Sequence, residues 1–210
     1  MRNLAAATRR IGWVALGLAA AASAASAAAP AASQAAPPAA TASRGCLPGG
    51  NGYLRARIRG ALNLDINWRN AELECEGDER PDGSAVRVIF AGPRAPDGHR
   101  LRMVFGISRA REGRSGRELP TNLTVILEGD GRLFATRGED HCTVDSLRQE
   151  RLDSSAAAHS YRMVARGFCI SPASTLNNAQ RILISSFDFA GQATFGPEPP
   201  AGVPVTGHRF

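Results

Sequence analysis

From Leu54 to Trp68 the even positions read Leu54, Ala56, Ile58, Gly60, Leu62, Leu64, Ile66 and Trp68. Apart from Ala61, the odd positions are polar: Arg55, Arg57, Arg59, Asn63, Asp65 and Asn67. A period of two predicts strand structure with one face in a core and the other in water. One strand of this length would span about 50 Å, whereas a domain of this size has a radius of gyration near ~15 Å. Gly60 is therefore the expected break, since glycine inside a strand marks bulges and bends. A bent strand that keeps its parity would begin in one sheet and finish in a second packed on it.

The same alternation recurs down the chain. Leu73 and Cys75 point inward between Glu72, Glu74 and Glu76, after a reversal near Arg69-Asn70. A two-residue turn there would set Asp65 against Glu74, so either a longer turn is needed or a cation from Arg55, Arg57 or Arg59 must lie alongside. Pro81-Asp82-Gly83 is a turn, followed by strands at Ala85–Phe90 and Leu101–Ile107, joined by a proline-stiffened connection. Residues 109–120 read as a flexible loop. Leu123, Val125 and Leu127 form a further strand, and Gly129-Asp130-Gly131 turns it back into Leu133–Thr136 as a hairpin. Val144, Leu147, Arg148, Arg151 and Leu152 have the spacing of one or two helical turns. Tyr161–Cys169 resumes alternation with a bulge expected at Gly167, and Ser171–Gln180 is loop. In Arg181–Ala190, Ile182, Ile184 and Ser186 share one face while Leu183, Phe187 and Phe189 fall on the other, the pattern of a central strand. About nine or ten strands with turns between them predict an antiparallel β-sandwich, with a small closed β-barrel as the alternative.

The N-terminus sets the compartment. Arg2, Arg9 and Arg10 precede the apolar run Ile11–Ala22 and two Ala-x-Ala sites, which together read as a secretory signal peptide over residues 1–27. The apolar run is too short for a comfortable membrane span, so no spanning segment is expected once it is cleaved. Gly12 and Trp13 fit twin-arginine export poorly, although Thr8-Arg9-Arg10 hints at it. Residues 28–45 form an Ala/Pro-rich linker, 46–193 a single β domain, and 194–210 a Pro/Gly-rich tail. Four cysteines in an exported chain, Cys46, Cys75, Cys142 and Cys169, predict two disulfides. Three connectivities are open; the sequential one is favoured because it joins neighbouring strands.

Charge excludes more than it suggests. All 25 basic residues are Arg, so a Schiff-base lysine, a Ser-Lys dyad and a phosphate loop ending in Gly-Lys are absent. Removing residues 1–27 leaves 22 Arg against 19 acids, an ordinary balance. The one local basic excess is Arg109, Arg111, Arg114 and Arg117, a set suited to phosphate or carboxylate on an envelope polymer. No aromatic residue interleaves with these arginines, which argues against nucleic acid. The acidic row Glu72, Glu74, Glu76 and Asp78 has strand spacing and does not converge on a cation. Glu139-Asp140-His141-Cys142 is the densest chemistry, but adjacent strand residues face opposite ways and a disulfide-bonded Cys142 has no thiolate to offer. No serine elbow and no metal-ligand spacing among His99, His141, His159 and His208 is found.

These features point to a non-catalytic, secreted or periplasmic binding module of a bacterial envelope, without cofactor or metal, whose partner is an anionic envelope polymer or another envelope protein. The rival readings are an envelope-acting hydrolase using Glu139, Asp140 and His141, and a barrel that carries a small apolar ligand inside.

Overall fold

The longest strand is the one marked in the sequence by apolar residues in both parities. In the computed structural model, which describes residues 45–152 and 159–196, it runs from Arg181 to Phe195 and pairs with four other strands. The expected signal peptide, nearly all of the linker and most of the tail lie outside the described residues. Eleven strands occur among those described: β1 (Tyr53–Gly60), β2 (Leu64–Arg69), β3 (Glu74–Glu79), β4 (Ala85–Arg94), β5 (Arg100–Ser108), β6 (Leu119–Glu128), β7 (Arg132–Ala135), β8 (Cys142–Arg151), β9 (His159–Cys169), β10 (Ala173–Ser174) and β11 (Arg181–Phe195).

The fold is all-β, and its hydrogen bonds realise the barrel alternative. Antiparallel pairing runs unbroken from β3 through β4, β5, β6, β8 and β9 to β11. A parallel bridge between Thr194 and Asp78 returns β11 to β3 and closes a seven-stranded ring. Below this closure the wall forks. β6 meets β8 over Leu119–Thr121 and β7 over Thr124–Leu127, while β11 meets β10 at Arg181 and Ile182 and β9 from Phe187 onward. Cys142 and Cys169 face each other where β8 and β9 end, and their disulfide ties the fork. The other disulfide, Cys46–Cys75, fastens the chain ahead of β1 to β3, so both bridges are sequential and no cysteine is free.

The ring is filled. Phe90, Phe105, Phe187 and Phe189 meet at its centre, with Phe105 at 5.0 Å from Phe187 and 4.8 Å from Phe189 between ring centroids. Met103, Met163, Phe134 and Phe195 extend this core toward the two ends, each fully buried. Burying each Phe is worth about 1.5–3 kcal/mol, which makes this cluster the main reason for the ring to close.

Five expectations are corrected. The run Leu54–Trp68 is two strands: Gly60, at φ +117°, ends β1, and β2 folds back antiparallel on it instead of crossing to a second sheet. That hairpin places Arg57 and Arg59 against Asp65, at 3.4 and 2.8 Å, the cation relief that the acidic stretch required. Residues 142–151 are strand, not helical turns. Val144 opposes Gly167 while Ser146 opposes Arg166, so Asp145 is an extra residue, and the bulge gives Val144 and Leu147 a helix-like spacing of three. The bulge expected at Gly167 thus lies opposite it; a Cβ on Gly167 would stand 2.0 Å from the Thr143 carbonyl oxygen. Ser171–Gln180 contains the short β10, and β11 runs through the buried Phe195, past the expected edge at 193.

A bulge also explains the double apolar pattern of β11. Arg57 opposes Ser186 but Ile58 opposes Ile184, leaving Ser185 over. Parity changes there, and Phe187 and Phe189 join Ile182 and Ile184 on the inner face. At a third irregularity, in β4, the buried Arg100 side chain takes the freed carbonyls: Nε donates to Gly92 O at 2.7 Å and Nη2 to Ala91 O at 3.2 Å. Its Nη1 donates to Glu74 Oε2 at 3.0 Å.

Candidate ligand-binding cleft

On the outer surface of β1, β11, β9 and β8 the registers align side chains in cross-strand rows. One row is Arg55–Asp188–Arg166–Ser146, and the next is Tyr53–Ala190–Val164–Arg148. Neighbours in a row are about 4.8 Å apart, one strand spacing. Residues 115–117 run alongside β8 on the side away from β9, tied by backbone hydrogen bonds in both directions between Gly116 and Leu147, at 3.0 and 2.9 Å. Between loop and sheet is a surface cleft of about 660 Å³. Val164 and Ala165 line it, together with Arg117, Arg148 and Arg166, which come from three separate segments. Tyr53 and Asp188 close the far end.

Charge in the cleft is only partly compensated. Arg166 Nε donates to Ser146 Oγ at 3.1 Å, and Arg148 lies 3.7 Å from Glu150, a carboxylate already held by Arg162 at 2.8 Å. Among the described residues no carboxylate is within ion-pairing reach of Arg117 or Arg166. At the far end Tyr53 Oη donates to Asp188 Oδ1 at 2.8 Å, and burial followed by this bond pushes the phenol above its ordinary range. The Arg55 guanidinium sits 4.9 Å over the Tyr53 ring and 3.9 Å from Asp188 Oδ2.

Of the arginines singled out in the sequence, Arg117 alone reaches this cleft. Arg111 donates through Nη1 to Gly83 O at 2.6 Å, Arg109 sits at φ 60°, and Arg114 is exposed. Their loop is not the free one expected. Gln149 accepts from Gly113 N at 3.0 Å and donates to the carbonyls of Arg111 and Arg114 at 2.8 and 3.0 Å. Glu112 Oε1 meets His159 Nδ1 at 2.5 Å and accepts from Tyr161 Oη at 3.1 Å. Burial, then Glu112, raises the Tyr161 phenol. His159, two residues ahead of the strand start expected at Tyr161, opens β9 and meets Glu112 of the arginine loop.

Glu139, Asp140 and His141 lie in the turn ahead of β8. Asp140 is 91% exposed and 3.9 Å from His141, and the His141 carbonyl accepts from Ile170 N at 2.9 Å. In the acidic row, Glu74 is held by Arg100 and Asp78 by Arg87, at 3.0 and 3.1 Å. Among the described residues no group of three or more His, Cys, Asp or Glu side chains could hold a metal ion, and no helix is long and apolar enough to cross a membrane.

The residues missed in the sequence are Arg148, Arg166, Tyr53 and Asp188. The outward alternation Arg162–Val164–Arg166 in β9 was a usable signal; Arg148 was hidden by the helix-like spacing of β8. Compared with protein-family models, curated proteins and solved structures, the chain matches none.

Proposed function

We propose that the chain is a non-catalytic exported binding module, acting in the periplasm or outside the cell, and that it holds an anionic ligand in the cleft of Arg117, Arg148 and Arg166. The observation that carries this reading is the lining of one cleft by three arginines from separate segments, two of them without a carboxylate partner among the described residues. Guanidinium groups recognise carboxylate, sulfate and phosphate through paired N–H donors. The N-terminal segment and two disulfides favour an oxidising compartment, where envelope polymers are the abundant polyanions. The filled core of phenylalanines supports surface binding over an internal apolar cargo. The isolated, exposed Asp140 weighs against hydrolysis at Glu139-Asp140-His141.

Affinity for heparin, used as a generic polyanion, tests this. Replacing Arg117, Arg148 and Arg166 together by Ala removes charge-assisted bonds of about 1.5–3 kcal/mol each, so affinity should fall at least a hundredfold. Replacing the exposed Arg94, Arg114 and Arg181 removes the same charge elsewhere and should weaken binding only slightly. Equal losses in the two triple variants would show binding to be non-specific, and the cleft would lose its assignment.

A further inference from the structure

We infer, on the basis of the anion-binding reading, that the ligand in the cleft is an acidic saccharide. A site built for negative charge alone gains nothing from a carboxylate, yet Asp188 stands in the same row as Arg166, one strand away. Its Oδ1 accepts from Tyr53, while Oδ2 has only Arg55 near it, at 3.9 Å and beyond hydrogen-bond range. Oδ2 therefore retains acceptor capacity that a donating ligand in the cleft, which Asp188 lines, would use. Phosphodiester and carboxylate groups do not donate at neutral pH; hydroxyl groups do. A ligand that satisfies the arginines and Asp188 together carries both anionic groups and hydroxyls, as a uronate-bearing glycan does.

Two further features fit the same chemistry. Ser146 Oγ accepts from Arg166, which leaves its own hydrogen for a ring or hydroxyl oxygen of the ligand. Beyond Arg166 on the outer face of β9 comes Phe168, 37% exposed. Two residues along a strand is about 6.6–6.8 Å, so Phe168 stands one outward position beyond the arginine that would hold the charged group. The C–H face of a pyranose ring is apolar and suits such a side chain, as it suits the half-buried Val164 that lines the cleft. At about 660 Å³ the cleft exceeds what a single inorganic anion would fill and lies in the range of sites for organic ligands of several hundred daltons.

Calorimetric titration of the mature protein with polygalacturonate, neutral dextran, polyphosphate and oligo(dT) separates the cases, with Asp188→Asn and Phe168→Ala as variants. The amide introduced by Asp188→Asn keeps a carbonyl for Tyr53, so this change removes charge without emptying the position. The expected result is tightest binding to polygalacturonate, at least a hundredfold over dextran. Asp188→Asn should weaken polygalacturonate about tenfold while leaving polyphosphate and oligo(dT) unchanged or tighter, because a repelling charge is gone. Phe168→Ala should weaken polygalacturonate and spare polyphosphate. If Asp188→Asn tightens or leaves unchanged the binding of every polyanion, or if oligo(dT) or polyphosphate binds as tightly as polygalacturonate, the saccharide assignment is wrong while the anion site stands. If no polyanion binds, the parent reading fails with it.

Discussion

Cys142–Cys169 joins β8 to β9 at the point where the barrel wall divides, and its removal tests how much of the fold rests on that tie. Replacing both residues by Ala opens a loop closed over 27 residues. On the chain-entropy account, closure of such a loop stabilises by about 3.5 kcal/mol. Alanine is chosen because serine would bury a hydroxyl at two positions that are 0% and 5% exposed, adding about 1–3 kcal/mol for each unsatisfied group. A loss of this size takes a large share of the 5–15 kcal/mol that about measures the net stability of a domain. Cys46–Cys75 spans 29 residues, so the same account assigns it nearly the same value. Urea unfolding without reductant, followed by the fluorescence of Trp68, should therefore show both double variants destabilised by about 3–4 kcal/mol, with larger m-values because the unlinked denatured chain exposes more surface. A loss below about 1 kcal/mol with unchanged m, or a difference above about 2 kcal/mol between the two variants, would refute the entropic reasoning.

Gln149→Leu removes the three hydrogen bonds that hold the arginine loop. At about 0.5 kcal/mol each for exposed bonds, local opening should become roughly tenfold easier, read as faster tryptic cleavage after Arg111 and Arg114. Deletion of Ser185 should leave the protein folded by circular dichroism and cooperative in melting, because it only regularises the strand; deletion of Leu183 should unfold it, by turning the residues on one side of the gap to the wrong face. The Glu74 carboxyl is held below its ordinary range first by its hydrogen bond from Arg100. A depressed acid contributes stability above its unfolded pKa and loses it as pH falls through the folded value. Glu74→Gln should therefore flatten the acid limb of stability against pH, by a small amount because the side chain is 77% exposed.

Strands with unbroken alternation were readable from the sequence: Met103, Phe105 and Ile107 in β5, and Leu123 and Val125 in β6, all point into the core. Turn chemistry was equally local, as Gly129-Asp130-Gly131 shows, with Leu127 opposite Arg132. Closure was not readable. It depends on Thr194 meeting Asp78 and on Leu119 meeting Val144, pairings between distant segments that leave no mark on either one. The cleft was half legible for the same reason. Arg117 stood out within a cluster of four, and Arg166 showed only as an outward position of an alternating strand. Arg148 was hidden by its helix-like spacing, and its place beside the β9 row appears only once β8 and β9 are paired.

The two bulges that obscured the pattern also build the candidate site. In a regular β8, Val144 facing in would put Ser146 and Arg148 in the core and Leu147 in water; the extra Asp145 reverses this, and Leu147 is 1% exposed while Arg148 faces the cleft. In a regular β11, Ile184 facing in would carry Asp188 inward with it; the extra Ser185 turns Asp188 out beside Arg166 and sends Phe187 and Phe189 into the ring. With Val144 and Leu147 both inward in β8, and Ile184 and Phe187 both inward in β11, each strand holds one residue more than a regular period of two, and Asp145 and Ser185 are those residues. Bulges commonly occur where a strand must re-aim a side chain, and here one stands in each of two strands that contribute charged groups to the cleft. The loss of alternation near Asp145 and Ser185 is thus itself a signal, marking the positions after which Arg148 and Asp188 fall on the outer face.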